Sequence, residues 1–145
     1  MPEVLIVIGS ESDKKIAAAA VQMLGEFGIS NSIVVASAHR TPEELEKLVA
    51  SSNAKVFIAI AGLSAALPGV IASKTTRPVI GVPVNVKLEG LDALLSMMQM
   101  PSGIPVATVG IDNGKNAALL AVEMLALSSP TLSKKLEEHR ARSKK

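Results

Sequence analysis

The chain has 145 residues, a length typical of one domain, and 48% of them are hydrophobic, which excludes a predominantly disordered protein. Its 15 basic and 13 acidic residues leave a formal charge of +2, too balanced for a nucleic-acid-binding groove. Aromatic residues make up 1% and cysteine is absent, which argues against base-stacking surfaces, disulfides and thiol nucleophiles. We therefore expect one domain over residues 1–145 that binds no nucleic acid.

Neither end of the chain indicates export or membrane insertion. The N-terminus has an acidic residue, Glu3, and lacks the basic segment of a signal peptide. Apolar stretches are interrupted by Gly, Pro or charge well before they reach the length of a transmembrane helix. The sequence predicts a cytoplasmic protein with no membrane partner. Because it has two histidines and no cysteine, it also predicts no metal site.

Five short apolar runs predict β-strands at residues 4–8, 33–36, 56–61, 79–82 and 106–109. They do not alternate apolar with polar residues, which indicates that both faces of each strand are covered, as in a parallel sheet. Helical spacing of apolar residues lies between and after the strands, at 12–27, from 42 to at least 49, and at 63–73, 91–99, 116–127 and 132–142. Strands alternating with helices are typical of a three-layer, doubly wound α/β fold.

Two helix boundaries are predicted from specific residues. Thr41 followed by Pro42 predicts an N-cap and a first helical position, with acidic residues in the first turn. Pro68 predicts that the helix within 63–73 starts near that residue. The tail over about 130–145, which includes the last helix, contains six of the 15 basic residues, and we expect its charged residues and His139 to be solvated.

The turn after the first strand is a candidate ligand site, because open α/β sheets bind ligands outside the carboxyl ends of their strands. Gly9 allows a tight turn, Ser10 and Ser12 offer hydroxyls, and Asp13 could accept hydrogen bonds from ribose hydroxyls. Free backbone N–H groups at a helix start suit a phosphate. The alternative is a simple capped helix start, with Ser10 or Ser12 as the N-cap.

The turn after the second strand places His39 beside Arg40, between Ser37 and the helix start at Thr41. A guanidinium can bind phosphate through two parallel hydrogen bonds, and an imidazole can transfer protons near neutral pH. Together with the first turn, this pair predicts a protein that binds a phosphorylated ribose and has one proton-transfer residue.

Two further segments are less specific. Residues 61–69 are small and nearly all apolar, which fits either the wall of a dry pocket or close packing of a helix on the sheet. Residues 99–103 form a Pro- and Gly-containing turn that we group with the strand-end segments.

Five segments in order resemble the signature segments of the PurE family, which forms 4-carboxy-5-aminoimidazole ribonucleotide (CAIR) in de novo purine biosynthesis. They are residues 9–13, 37–42, 90–96, 99–101 and 116–121. The resemblance implies a flavodoxin-like fold, a homo-octamer and no cofactor. Its substrates would be aminoimidazole ribonucleotide (AIR) with CO2, or N5-carboxyaminoimidazole ribonucleotide (N5-CAIR).

The resemblance also implies roles for individual residues. His39 matches the catalytic histidine, which exchanges the proton at ring carbon C4. Ser10, Asp13 and Arg40 match substrate-binding positions, with Arg40 at the phosphate and Asp13 at the ribose. The base and carboxylate would be enclosed by four further residues, namely Ser37, Gly62, Ser64 and Leu67.

Ala66 departs from the mutase branch of this family, which usually has a histidine in the corresponding place. The departure favours direct carboxylation of AIR with CO2. The alternative is a mutase that converts N5-CAIR to CAIR, and a second alternative is a non-catalytic nucleotide-binding module of the same fold.

Overall fold

The computed structural model describes residues 2–144, which form a five-stranded, all-parallel sheet with the order β2-β1-β3-β4-β5. The strands are β1 (Val4–Ile8), β2 (Asn31–Val35), β3 (Val56–Ala61), β4 (Val79–Pro83) and β5 (Ala107–Thr108). This strand order is the flavodoxin-like arrangement of doubly wound folds. The three-layer α/β fold expected from the sequence is therefore confirmed.

Six helices cover the sheet: α1 (Lys14–Glu26), α2 (Pro42–Ser51), α3 (Leu67–Ala72), α4 (Leu91–Met98), α5 (Gly114–Ala126) and α6 (Pro130–Ser143). One hydrophobic cluster joins the sheet to α1 and α5, and a second joins its opposite face to α2, α3 and α4. Helix α6 packs on α5. Among the described residues, every helix is too short or too polar to cross a lipid bilayer.

Strand β1 shows why the apolar runs do not alternate. Val4, Ile6 and Ile8 belong to the cluster under α1 and α5, whereas Leu5 and Val7 belong to the cluster on the other face. Neighbouring side chains of a strand point to opposite faces, so a strand with helices on both sides is apolar at every position.

Two helices begin earlier than predicted because a side chain caps each of them. Helix α5 begins two residues earlier than predicted, since the Asn113 side chain accepts a hydrogen bond from the Asn116 amide at 2.9 Å. Ser129 caps α6 in the same way.

Strand β5 is shorter than predicted, with two residues instead of four.

His139 differs from its expected solvated position. Its ring is partly buried, with its centroid 5.3 Å from that of Phe27. Because α6 packs on the core through Leu132 and Leu136, the histidine a turn or two further along also faces the domain.

Arg77 connects the second helix to the sheet. Its Nη1 donates to the carbonyl oxygens of Ser52 and Ala54, both at 2.7 Å, and its Nη2 donates to that of Val49 at 3.0 Å. The guanidinium also lies 4.7 Å from the ring centroid of Phe57. It thus satisfies carbonyls that the end of α2 leaves without helical partners.

We predict that Arg77→Lys lowers the free energy of unfolding by about 2 kcal/mol, because an ammonium cannot reproduce the planar fork of donors. Urea unfolding followed by circular dichroism measures the loss. Arg142→Lys, an exposed substitution in the last turn of α6, is the control and should change stability little. Equal stability of the two variants would contradict this role for Arg77.

Candidate functional site

A cavity of 380 Å³ opens where β1, β2 and β3 end, beside the point at which the strand order reverses. All ten residues predicted for the site line it: Gly9, Ser10, Ser12, Asp13, Ser37, His39, Arg40, Gly62, Ser64 and Leu67. Its lining also includes Ala38, Ala61, Leu63 and Val86. Of these, Val86 follows β4 and had no recognisable signal in the sequence.

In the turn after β1, the structure shows the capped helix start, and the capping residue also lines the cavity. The Ser10 hydroxyl accepts a hydrogen bond from the Ser12 amide at 3.4 Å and caps a 3₁₀ turn over Glu11–Asp13. The two serine hydroxyl oxygens lie 3.0 Å apart, and both residues line the cavity. Ser10 is therefore a structural cap that also offers its hydroxyl to the site.

Asp13 is a buried polar residue, 5% exposed, at the start of α1. Burial raises the pKa of its carboxyl above 3.8, and the negative charge of Asp112 acts in the same direction. A hydrogen bond from the Ser10 backbone opposes both effects by favouring the ionised form. A carboxyl group at this depth has few water partners, so its oxygens are available to a ligand that enters the cavity.

The turn after β2 is held by its own side chains. The Ser37 hydroxyl accepts from the Arg40 amide at 3.1 Å, and the Thr41 hydroxyl accepts from the Ser37 amide at 3.0 Å. Thr41 is the N-cap of α2 and Pro42 its first helical residue, as predicted, but the Thr41 hydroxyl binds Ser37 and makes no capping bond to the helix. The same bonds fix the turn that presents His39 and Arg40.

Arg40 bridges the first two segments of the site. Its Nη2 donates to the Gly9 carbonyl at 3.2 Å, and its Nε lies 3.5 Å from the Ser37 hydroxyl. His39 is exposed at the rim of the cavity. One guanidinium, one imidazole and the buried Asp13 carboxylate therefore lie around a single cavity.

The small-residue segment after β3 owes Gly62 to close packing. A Cβ at that position would clash with Val86 and would lie 3.2 Å from the Cβ of Val84. Ser64 and Leu67 line the cavity further along the segment, whereas Ala66, at the N-cap of α3, is not among the lining residues.

The grouping of residues 99–103 with the strand-end segments is wrong. They precede β5. Gly103 lies at the amino ends of the strands, opposite the cavity, in a recess of 940 Å³ beside Arg77. The guanidinium in that larger recess is already occupied by backbone carbonyls. Within residues 2–144, no three His, Cys, Asp or Glu side chains come together as a metal site would require.

Fold and cavity define a parallel α/β protein with a ribonucleotide-sized crevice at its topological switch point. The sequence profile of the AIR carboxylase family matches residues 3–145. The chain therefore belongs to that family, the PurE family of purine biosynthesis.

Relatives extend over nearly the whole chain. It is 63% identical to the N5-carboxyaminoimidazole ribonucleotide mutase of Methanocaldococcus jannaschii, over 98% of this chain and 90% of the relative. It is 47% identical to the protein of the same name in Thermotoga maritima, over 100% of this chain and 87% of the relative. The crystal structure of Treponema denticola PurE superposes with a TM-score of 0.83 at 33% identity, covering 99% and 92% of the two chains.

We predict that Asp13→Asn raises the free energy of unfolding at pH 7.5 and that this gain shrinks toward pH 4. Because folding raises the pKa of Asp13, the unfolded chain releases this proton at a lower pH than the folded chain does. The free energy of unfolding of the wild type therefore falls as the pH rises from the unfolded-state pKa through the folded-state pKa. Urea unfolding at the two pH values tests this.

The control is Glu137→Gln, which removes an exposed carboxylate from α6. An Asp13→Asn protein that is less stable than wild type by the same amount at both pH values would contradict the prediction.

Proposed function

We propose that the chain is an N5-CAIR mutase of de novo purine biosynthesis, an isomerase that forms CAIR. The observation that supports this most directly is the convergence of Asp13, His39 and Arg40 on one cavity in a chain 63% identical to a named mutase. Direct carboxylation of AIR, which Ala66 favoured in the sequence, is less well supported than this alternative, because the close relatives above have the mutase name.

Arg40 would bind the 5′-phosphate of the ribonucleotide. To do so it exchanges its hydrogen bond to the Gly9 carbonyl for charged ones to phosphate oxygens, which are the stronger kind. The serines of the first turn add hydroxyl donors beside the start of α1. Asp13 would accept hydrogen bonds from the ribose hydroxyls, which suits a carboxyl group with little access to water.

The chemistry is an internal transfer of a carboxyl group. The bond from the exocyclic nitrogen to the carboxyl carbon breaks, a bond from C4 to that carbon forms, C4 loses one proton and the nitrogen gains one. His39 is the residue at the cavity whose imidazole can accept and return a proton near neutral pH. The reaction is balanced without a metal, an oxidant or a cofactor.

The apolar side of the cavity would retain the carboxyl group during the transfer. Ala61 and Leu67 line it and are nearly inaccessible to solvent, beside the small Gly62 backbone. Cleavage of the bond to nitrogen would release the carboxyl group as CO2, which is uncharged, and this wall would keep it near C4 until C4 attacks it and loses its proton.

The test supplies the purified protein separately with N5-CAIR and with AIR plus bicarbonate, and follows CAIR by its absorbance. We expect efficient product from N5-CAIR, with AIR used only at high bicarbonate. Efficient use of AIR at modest CO2, with no gain from N5-CAIR, would assign direct carboxylation. Product from neither substrate would assign a non-catalytic binding module.

His39→Asn should lower kcat by about 10²- to 10⁴-fold with the Kd for AIR nearly unchanged, because the amide preserves polarity but cannot transfer the proton. Steady-state kinetics and calorimetric titration with AIR measure the two effects. The control, His139→Asn, alters the other histidine, which lies on α6 away from the cavity. Wild-type turnover by His39→Asn would remove this histidine from the mechanism.

We also infer self-association, with the homo-octamer of the PurE resemblance as the expected state. Helix α4 supports this, because it buries Ala93 and Met97 but leaves Leu91, Leu95 and Met98 between 41% and 52% exposed. A single-chain core helix would not leave that row of large apolar side chains in water.

The cytoplasmic location also stays a prediction.

Leu95→Glu should reduce the number of subunits found by size-exclusion chromatography with light scattering, because a carboxylate on this face would be buried unpaired in an assembly. Leu127→Glu is the matched control, since Leu127 is 90% exposed and lies after α5, away from α4. A Leu95→Glu protein with the wild-type subunit number would exclude α4 from the interface.

A further inference from the structure

Asp112 occupies an unusual backbone position in the loop between β5 and α5. Its φ is +61°, in the left-handed region that few residues other than glycine adopt, although Asp does so more readily than most. Two hydrogen bonds hold it there. Its amide donates to the Pro83 carbonyl at 2.8 Å, and its Oδ1 accepts from the Asn85 amide at 3.0 Å.

These bonds span the end of β4 on both sides of Val84. The Val84 amide in turn donates to the Ala61 carbonyl at 3.0 Å, and Val86 lies against Gly62 so closely that a Cβ would not fit. Val86 lines the cavity. A short series of contacts therefore leads from Asp112 through the segment 84–86 to one wall of the site.

Few other contacts hold residues 84–89 in place. Residues 85–89 are exposed, and Val86 is 49% exposed although it is apolar. Within residues 2–144, the bond from the Asn85 amide to Asp112 is the sole side-chain hydrogen bond made to residues 84–89. A loop with few buried contacts is set by the few bonds it makes.

Packing on the other side of the loop agrees with this. A Cβ at Gly90 would lie 2.7 Å from Cγ2 of Ile111 and 3.3 Å from the Asn85 Cα. The loop after β4 thus bends around the residue that precedes Asp112, and the Asp112 carboxylate closes this bend at Asn85.

We propose that Asp112 is a positioning residue: by binding the Asn85 amide it holds Val86 against Gly62 and so fixes the wall of the ribonucleotide site. Asp112 does not itself line the cavity, so it would act through the loop. Its negative charge also raises the pKa of Asp13, a separate effect that the Asp112→Asn variant measures. The identity of that ligand rests on the proposed function, whereas the hold on the loop does not.

Two substitutions separate the acceptor from the charge. Asp112→Asn keeps an oxygen acceptor and a residue type that tolerates positive φ, but it removes the charge. Asp112→Gly keeps the backbone conformation without strain but removes the acceptor. Glu89→Gln is the matched control, because Glu89 is exposed, has a φ of +58° and makes no side-chain hydrogen bond in the described chain.

Two readouts follow each variant. The first is KM and kcat for N5-CAIR, and the second is amide hydrogen exchange of Asn85 and Val86 by NMR without ligand. For Asp112→Gly we expect KM to rise about fivefold or more with a smaller change in kcat, and faster exchange at Asn85. Asp112→Asn should restore both readouts to near wild type, and Glu89→Gln should leave both unchanged.

Three results would overturn the proposal. They are wild-type KM in Asp112→Gly, unchanged exchange at Asn85 in that variant, and a KM for Asp112→Asn as high as that of Asp112→Gly. The last would assign the effect to charge instead of position. If the wild-type protein neither converts nor binds the ribonucleotides, the proposed function fails, and hydrogen exchange alone then decides whether Asp112 holds the loop.

Discussion

The site depends on one feature of the sheet, the pairing of β1 with β2 on one side and with β3 on the other, both parallel. Helix α1 leaves β1 on one face, whereas α2 and α3 cover the opposite face. The loops after β1 and β3 therefore diverge and open a crevice between them. Burial of β1 on both faces makes this arrangement rigid, because each of its five side chains is nearly or fully inaccessible.

The crevice is built from loops that stabilise one another before any ligand binds. Ser37 and Thr41 brace the turn that presents Arg40, and Arg40 reaches across to the Gly9 carbonyl. Asp13 is buried at the base of the same cavity, at the cost of a raised pKa. Perturbed ionisable groups in clefts are often functional, which agrees with the binding role proposed for Asp13.

The choice between direct carboxylation and the mutase reaction shows how much can be read from one substitution. Ala66 was the main residue that favoured direct carboxylation, but its methyl group lies at the start of α3 and not on the cavity lining. Similarity over the whole chain to named mutases supports the other branch. A mutase with Ala66 has to perform its proton transfer at His39 without a second histidine in that segment.

The sequence by itself determined the parallel sheet and the burial of β1, β3 and β4 on both faces, because apolar runs are local properties, whereas the edge strand β2 is partly exposed. The strand-end turns indicated the lining residues of the first two segments, and the family resemblance added Gly62, Ser64 and Leu67. The tertiary structure alone decided the place of Val86 and Asp112, since contacts between distant loops leave no local pattern. It also decided that the hydroxyl of the N-cap residue Thr41 binds Ser37, and that residues 99–103 lie away from the carboxyl ends of the strands. These features depend on which distant groups the folded chain brings together, and the spacing of residues along the sequence does not encode that.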